Sequence, residues 1–372
     1  MKKLGFGLMR LPLTDPDVPT SIDIEHTKRM VDSFIEQGFT YFDTAWMYCG
    51  HNSENATKEA LVDRYPRDAF TLADKLHAGF IKTEEDRDLV FNEQRRKTGV
   101  EFFDYYLIHD VNIKHYEIYK KLNCFDWLRE KKRQGLVKQM GFSFHDTAEV
   151  LDRVLTEQPD MDFVQLQINY LDWDSEGVQS RKCYEVARRH GLPVVVMEPV
   201  KGGTLAKLPE AAEAMMRAAH PDWSVPSWAI RFAASLDGVM TVLSGMSNME
   251  QLMDNTAYMA DFEPLGREEL ALIARVVDML NGSSAIPCTG CAYCVEGCPQ
   301  KIAIPQYFSL YNNDLKEVSG GWTPQFAYYE NLTDTFGKAS DCIGCGRCES
   351  ACPQHLPIIE HLRTVAAHFE VE

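Results

Sequence analysis

Short apolar segments recur from residue 4 to residue 245, and each is followed by a segment with helical periodicity. Runs of this length, rich in aliphatic and aromatic residues and bounded by turn residues, are typical of buried β-strands. The pattern predicts eight strands, at residues 4–11, 40–45, 70–76, 103–109, 137–145, 163–169, 193–199 and 240–245. Helices predicted at residues 24–37, 116–134 and 176–190 are each followed by a glycine that supplies a left-handed cap.

Eight strand–helix units in about 280 residues predict a parallel (β/α)8 barrel rather than an open, doubly wound sheet. The glycine-rich dinucleotide turn of the doubly wound fold is missing. Gly5 and Gly7 are too close for that turn and no helix follows them directly, so they are interpreted as part of a turn. A helix predicted at residues 267–280 is followed by a polar stretch, residues 281–284, which predicts a domain boundary. The expected domains are residues 1–282 and 283–372.

Composition and charge exclude several classes of function. The chain has 372 residues, 45% of them hydrophobic, and a formal net charge of −17 with acidic and basic residues interspersed. No stripe of Lys and Arg is present to neutralise phosphates, which disfavours nucleic acid and anionic membranes as partners. There is no apolar run of about 18 residues, and residues 1–10 lack the features of a signal peptide. We therefore expect a cytoplasmic protein.

Eight of the eleven cysteines lie beyond Pro287, in two runs of the pattern CxxCxxCxxxCP. Three closely spaced cysteines match three iron corners of a 4Fe–4S cluster, and the fourth cysteine, before proline, typically ligates the other cluster. Zinc is the weaker alternative because zinc sites usually pair C-x2-C units across a longer gap. The predicted ligands of cluster 1 are Cys288, Cys291, Cys294 and Cys352. Those of cluster 2 are Cys342, Cys345, Cys348 and Cys298.

The C-terminal segment resembles the two-cluster bacterial-type ferredoxins across both motifs, including Pro299 and Pro353. It differs from the compact form in the residues between Cys298 and Cys342, where residues 304–311 and 323–332 have helical, aromatic-rich patterns. The resemblance therefore implies a small, mainly helical dicluster domain.

Polar side chains lie at the predicted carboxyl ends of neighbouring strands, where barrel enzymes place their chemistry. Asp43, Lys75 and His109 end the second, third and fourth strands, and Tyr48 follows Asp43 closely. An ammonium beside a phenol lowers the pKa of the phenol, and a carboxylate would hold that ammonium in place. A histidine can orient a carbonyl oxygen by hydrogen bonding. These four residues therefore predict protonation of a carbonyl group during hydride transfer.

Residues 1–260 resemble the aldo-keto reductase family. The residues that carry the resemblance are 5–12, 41–45, 48, 53–54, 75, 104–109, 141–143, 167, 199 and 245–248. The resemblance implies that Asp43, Tyr48, Lys75 and His109 are the catalytic tetrad.

The same resemblance implies a nicotinamide cofactor, with its carboxamide bound by Ser143 and Gln167 and its phosphates and adenosine held after strands seven and eight. The family's stacking aromatic residue and its carboxamide-side asparagine are replaced by Met197 and Phe144. Its 2′-phosphate-binding Lys and Arg are replaced by Gly245 and Gln251, which favours NADH over NADPH. The candidate cofactor-binding residues are Ser143, Gln167, Gly245, Met246, Ser247, Gln251, Asp254 and Asn255. As helix residues, Asp254 and Asn255 are equally compatible with surface positions.

The leading hypothesis is an NAD(P)H-dependent reductase of a small carbonyl substrate, carrying two 4Fe–4S clusters. A nicotinamide transfers two electrons as a hydride, whereas each cluster transfers one, and no flavin fingerprint is visible. Three resolutions stay open: the clusters are structural or regulatory, they exchange electrons with an external partner, or the barrel binds a different redox cofactor or delivers single electrons to a substrate. The alternative is a ferredoxin-like electron-transfer protein whose barrel is a docking, sensing or flavin-binding module.

Overall fold

The structure, a computed structural model, describes residues 2–282, 284–317 and 322–370. Eight parallel strands pair in chain order, and the last pairs with the first to close a barrel. The strands are β1 (Leu4–Gly7), β2 (Tyr41–Asp43), β3 (Thr71–His77), β4 (Phe103–Val111), β5 (Val137–Phe144), β6 (Phe163–Gln167), β7 (Val194–Met197) and β8 (Val239–Ser244). The predicted (β/α)8 fold is confirmed.

Helices surround the barrel and form most of the C-terminal region. The helices up to residue 282 are α1 (Ile24–Glu36), α2 (Tyr48–His51), α3 (Ser53–Thr57), α4 (Glu84–Thr98), α5 (Ile113–Lys121), α6 (Cys124–Arg133), α7 (Ala148–Glu157), α8 (Ser180–Arg189), α9 (Glu210–Ala219), α10 (Val225–Ser235), α11 (Met249–Ala260) and α12 (Arg267–Gly282). Those that follow are α13 (Tyr293–Glu296), α14 (Ile304–Asp314), α15 (Pro324–Thr333), α16 (Arg347–Ala351) and α17 (Ile358–Phe369). The C-terminal region is thus mainly helical, as the sequence predicts.

Three local predictions are wrong. The helix predicted at residues 116–134 is two helices, α5 and α6, because Asn123 adopts a left-handed conformation with φ of 49°. The helix predicted from residue 176 begins only at Ser180, after Gln179 with φ of 58°. Gly5 lies in strand β1 rather than in a turn, and a Cβ atom there would lie 2.8 Å from side-chain atoms of Leu243 and of Thr241. Its role is to leave space inside the barrel.

Strand register brings the polar side chains to one rim. Asp43 pairs with Ala73 of β3, and His77 pairs with His109 of β4, so the carboxyl ends of β2, β3 and β4 lie side by side. Each of these strands is buried on both sides, as expected for a parallel barrel covered by helices. The rim therefore holds Asp43, Lys75 and His109 on rigid backbone.

Two large hydrophobic cores are present in the described residues. The first extends from Leu4 to Leu280 and lies between the strands and the surrounding helices. The second contains residues from Ile286 to Phe369 together with Val178 of the barrel segment. Among the described residues, no helix combines the length and the hydropathy needed to cross a membrane.

Candidate active site and cluster sites

Lys75 is the centre of the polar cluster at the barrel rim. Its side chain is fully buried, and its Nζ atom lies 2.5 Å from Asp43 Oδ1, 2.7 Å from the Thr44 carbonyl oxygen and 3.4 Å from the Tyr48 hydroxyl. Burial is the largest single effect and lowers the pKa of Lys75, but Asp43, Tyr48 and Asp74 together outweigh it, so the pKa is raised. The lysine is therefore held as an ammonium ion, and Asp43, also buried, compensates its charge.

Tyr48 is held over this ammonium by an unusual turn. It begins α2, in which Cys49, Gly50 and His51 all have positive φ. Lys75 Nζ lies 4.8 Å from the centre of the Tyr48 ring, in a cation–π contact. The expected effect of Lys75 on the phenol is present but is not the largest one, because burial raises the pKa of Tyr48 more than Lys75 lowers it. Tyr48 is thus a protonated phenol, as a proton donor must be.

His109 lies beside Tyr48, with a distance of 6.1 Å between the two ring centres and an edge-to-face orientation. Burial, and then the positive charge of Lys75, lower the pKa of His109 well below its usual value. Its Nδ1 atom is buried and has no hydrogen-bond partner among the described residues. His109 is therefore neutral near pH 7 and can act as a hydrogen-bond donor to a substrate, but not as a cationic acid.

The two candidate carboxamide-binding residues are both buried at the same rim. Ser143 Oγ accepts a hydrogen bond of 2.8 Å from the Asp110 backbone N–H, so its hydroxyl proton is available. Gln167 Nε2 donates to Asp172 Oδ2 at 3.0 Å, while Gln167 Oε1 is buried without a partner in the part of the chain that the structure describes. The unpaired Gln167 Oε1 can accept a hydrogen bond from the NH₂ of a carboxamide, and the Ser143 hydroxyl can donate one to its oxygen.

The candidates after β8 divide into accessible and internal residues. Gly245 lies against Arg10, whose Cδ would be 3.4 Å from a Cβ atom at that glycine. Ser247 Oγ donates to the Arg10 carbonyl oxygen, and the Ser247 N–H donates to Gln251 Oε1 at 2.7 Å. Met246 is fully buried, so neither its side chain nor its backbone is accessible to a ligand in this conformation.

Asp254 and Asn255 are both engaged within the protein. Asp254 Oδ2 accepts a hydrogen bond of 2.6 Å from Ser224. Asn255 is buried, donates to Ser244 at 2.9 Å and accepts from Tyr258 at 2.7 Å. Asn255 therefore fixes α11 to β8, and a surface position is wrong for it.

A second polar group, which the sequence analysis missed, adjoins His109. Asp110 has φ of 53°, and its Oδ2 atom lies 3.2 Å from His115 Nδ1 and 3.6 Å from His77 Nε2. Burial opposes ionisation, but hydrogen bonds from His115 and His77 hold the pKa of Asp110 far below its usual range. His77 Nδ1 accepts a hydrogen bond from the Gly79 N–H, so Nε2 carries the proton. With its proton on Nε2, His77 can donate a hydrogen bond to the Asp110 carboxylate. This favours a hydrogen-bonded carboxylate at this place over a metal site.

The structure gathers the eight C-terminal cysteines into two groups. Cys288, Cys291, Cys294 and Cys352 line one small cavity. Cys298, Cys342, Cys345 and Cys348 line a second. In each group, three cysteines come from one run and the fourth from the other.

The thiols suit a cluster rather than an empty pocket. Burial raises the pKa of Cys294 to about 12 and that of Cys348 to about 11. Four convergent sulfur donors are the ligand set of a 4Fe–4S cluster. The residues fit the group that the spacing implies.

A buried carboxylate links the barrel to the C-terminal region, and the sequence analysis missed it as well. Asp172, which is fully buried, accepts hydrogen bonds from Gln167, Asn169 and Asn313, and its oxygens lie 2.9 and 3.0 Å from Lys201 Nζ. The sequence signal was the Lys-Gly-Gly-Thr segment directly after the seventh strand, where a cation precedes two glycines.

Comparison with known proteins decides the family. Residues 3–278 match the model of the "Aldo/keto reductase family". The chain belongs to the aldo/keto reductase family. It is an oxidoreductase of that type, and residues 287–357 match the "4Fe-4S dicluster domain". The family resemblance seen in the sequence is confirmed.

Solved aldo/keto reductases share the fold. The holo form of an enzyme from Bacillus halodurans superposes with a TM-score of 0.60 at 22% identity, covering 74% of this chain and 91% of the other. An enzyme from Klebsiella pneumoniae in complex with NADPH has a TM-score of 0.56 at 19% identity, covering 74% and 90%. At such identities the likeness shows the fold alone.

A curated relative matches a shorter segment. The acetyl-CoA decarbonylase/synthase complex subunit alpha 1 of Methanosarcina acetivorans is 29% identical over 121 residues. The match covers 29% of this chain and 13% of that protein.

Proposed function

We propose that the chain reduces a small carbonyl substrate with a reduced nicotinamide cofactor. The observation that carries the proposal is the contact of one buried ammonium, Lys75, with both the Asp43 carboxylate and the Tyr48 hydroxyl. These groups are the parts that a general acid requires. The phenol is protonated, the ammonium stabilises the phenolate that forms when the phenol gives up its proton, and the carboxylate holds the ammonium in place.

Each residue of the tetrad has a separate task in this proposal. Tyr48 donates a proton to the carbonyl oxygen as the hydride arrives at the carbon. Lys75 stabilises the resulting phenolate, and Asp43 keeps Lys75 charged. His109, which is neutral, donates a hydrogen bond that orients the same carbonyl oxygen.

The carboxamide of the cofactor would be held by Ser143 and Gln167. When bound, the reduced nicotinamide supplies the hydride. The orphaned Gln167 Oε1 supports this placement because it provides a buried acceptor for the carboxamide N–H groups. We propose a preference for NADH, since neither Gly245 nor Gln251 carries a charge for a 2′-phosphate. A preference for NADPH would instead identify Arg10, which lies against Gly245, as the cation involved.

The C-terminal region is proposed to hold two 4Fe–4S clusters, with domains at residues 1–282 and 283–372. Cys291 and Cys345 are exposed, so each cluster site has one solvent-facing edge. This exposure supports exchange of single electrons with an external carrier rather than a purely structural role.

The test is an anaerobic titration of the protein with NADH and NADPH in the presence of simple aldehydes. Pyridine-nucleotide oxidation and the visible absorption of the clusters are followed together. We expect turnover of at least one nucleotide without bleaching of the clusters. Bleaching by dithionite with no nucleotide turnover on any carbonyl would contradict the reductase and favour an electron-transfer protein.

A further inference from the structure

The loop that follows β7 has the conformation of an anion cradle. Lys201, Gly202 and Gly203 have φ of 49°, 62° and 105°, a run of left-handed backbone in which two glycines avoid strain. Lys201 is 1% exposed, so its ammonium lies inside the protein. Two carboxylates of the barrel already contact this loop, because Asp172 pairs with Lys201 and the Gly202 N–H donates to Glu198 Oε2 at 2.7 Å.

A third carboxylate at this loop, Glu317, belongs to the C-terminal region. Glu317 Oε1 lies 3.5 Å from Lys201 Nζ, and Glu317 Oε2 accepts a hydrogen bond of 3.1 Å from Thr204 Oγ1. A Cβ atom at Gly202 would lie 2.9 Å from the same Oε2, so the carboxylate rests directly on the glycine. An Arg10 guanidinium nitrogen lies 3.7 Å from that Cβ position. Glu317 thus adds its carboxylate to Lys201, which Asp172 already pairs, and lies beside the Thr204 hydroxyl and near Arg10.

The cradle adjoins the proposed nicotinamide site. Asp172 accepts a hydrogen bond from Gln167 through Oδ2, and both its oxygens contact Lys201 Nζ. One carboxylate therefore joins the candidate carboxamide-binding residue to the cation of the cradle. The proposed function places the cofactor carboxamide at Gln167 and its phosphates after strand seven, so this loop is where the phosphates would contact the protein.

Glu317 is not needed to hold the two regions together. Ser309 and Ser175 form a hydrogen bond of 3.0 Å, and Asn313 donates to Asp172 at 3.2 Å. Asn331 donates to the His145 carbonyl oxygen at 2.8 Å. The contacts of Ser309 and Asn331 involve neither Lys201 nor Asp172, so they anchor α14 and α15 to the barrel when the Glu317 side chain leaves the cradle.

We propose that Glu317 is a tethered competitor for the cofactor phosphates, so that a nicotinamide dinucleotide binds only when this carboxylate leaves the loop after β7. The inference rests on the proposed function. A carboxylate and a phosphate compete for the same cations, and the tether gives the carboxylate a high effective concentration. The dicluster region thereby controls access of the cofactor to the barrel.

The experiment measures the dissociation constants of NADH and NADPH for the anaerobically purified, cluster-containing full chain. In Glu317→Gln, which keeps the size of the side chain but removes its charge, we expect binding to tighten about 10-fold, an easily resolved change in affinity. Glu317→Asp, which shortens the side chain, should also bind more tightly than wild type. Adenosine diphosphate ribose, which lacks nicotinamide, should show the same gain because the competition concerns its phosphates.

Glu330→Gln is the matched control. Glu330 is an exposed carboxylate of the C-terminal region that forms a surface ion pair with Lys114 at 3.4 Å. Its replacement should leave the dissociation constants of NADH and NADPH unchanged. Equal or weaker dinucleotide binding in both Glu317 variants would overturn the inference. If wild type and variants all fail to bind any dinucleotide, the proposed function itself is contradicted and the inference fails with it.

Discussion

Replacing Asp43 with asparagine removes the carboxylate that lies 2.5 Å from Lys75 Nζ while nearly preserving the volume of the side chain. Lys75 is fully buried, and its remaining contacts are the Thr44 carbonyl oxygen and the Tyr48 hydroxyl. Breaking a buried ion pair by removing one partner costs about 3–5 kcal/mol, because the other charge stays buried and uncompensated. We expect Asp43→Asn to lower the free energy of unfolding by that amount.

The same substitution should also move the pH dependence of turnover. Burial lowers the pKa of Lys75, and in the wild-type protein Asp43, the largest of the opposing effects, together with Tyr48 and Asp74 raises it. Without Asp43, Lys75 loses its proton at lower pH, so the alkaline limb of the activity profile should shift toward neutral pH. The assays are urea unfolding and kcat/KM against pH, both under anaerobic conditions.

Asp104→Asn is the control, since Asp104 pairs with Arg67 at 2.6 Å near the start of β4, away from the rim that holds Lys75. Its replacement should lower stability without shifting the pH profile. The reasoning is refuted if Asp43→Asn loses less than about 1 kcal/mol, the value of an exposed pair, and keeps the wild-type profile.

Three further predictions concern the clusters, the tetrad and the barrel. Cys352→Ser should change the electron paramagnetic resonance spectrum of the reduced protein in the same way as Cys291→Ser; a change matching that of Cys345→Ser would contradict the crossed ligation. Folding lowers the pKa of His109, so below about pH 6.5 the unfolded chain binds more protons than the folded one and the free energy of unfolding decreases as the pH falls. In His109→Gln, urea unfolding should show a shallower decrease of the free energy of unfolding with falling pH. An unchanged slope would argue against a buried neutral histidine. Gly5→Ala should cost about 1–3 kcal/mol by overpacking the barrel, and an unchanged denaturation midpoint would show that Leu243 and Thr241 can yield.

Much of the fold is predictable from the sequence because barrel strands are short, apolar and regularly followed by amphipathic helices. Gly38, Gly135 and Gly191 all have positive φ near 75–79°, as their positions after helices predict. The division between α5 and α6 was missed because the helical pattern continues across it. The signal was Asn123 itself, since asparagine is, after glycine, the residue that most readily adopts the left-handed conformation at a helix end.

The candidate site was predictable only for the residues that lie at the carboxyl ends of successive strands. The structure brings Asp43, Tyr48 and Lys75 into contact, as their positions at successive strand ends suggest. The cradle around Lys201 was not foreseen because its occupant, Glu317, lies more than a hundred positions away in a different region of the chain. Such contacts depend on how the C-terminal region docks, which local patterns do not encode.

The most direct test of the central claim is transfer of deuterium from a 4-deuterated reduced nicotinamide cofactor to an aldehyde, compared between wild type and Tyr48→Phe. We predict that the wild-type protein places deuterium on the alcohol carbon while the absorption of the clusters stays constant. Tyr48→Phe should slow this transfer by about 10²–10⁴-fold, the usual contribution of a positioned general acid. Absence of deuterium in the product, or transfer at the same rate in Tyr48→Phe, would contradict the account.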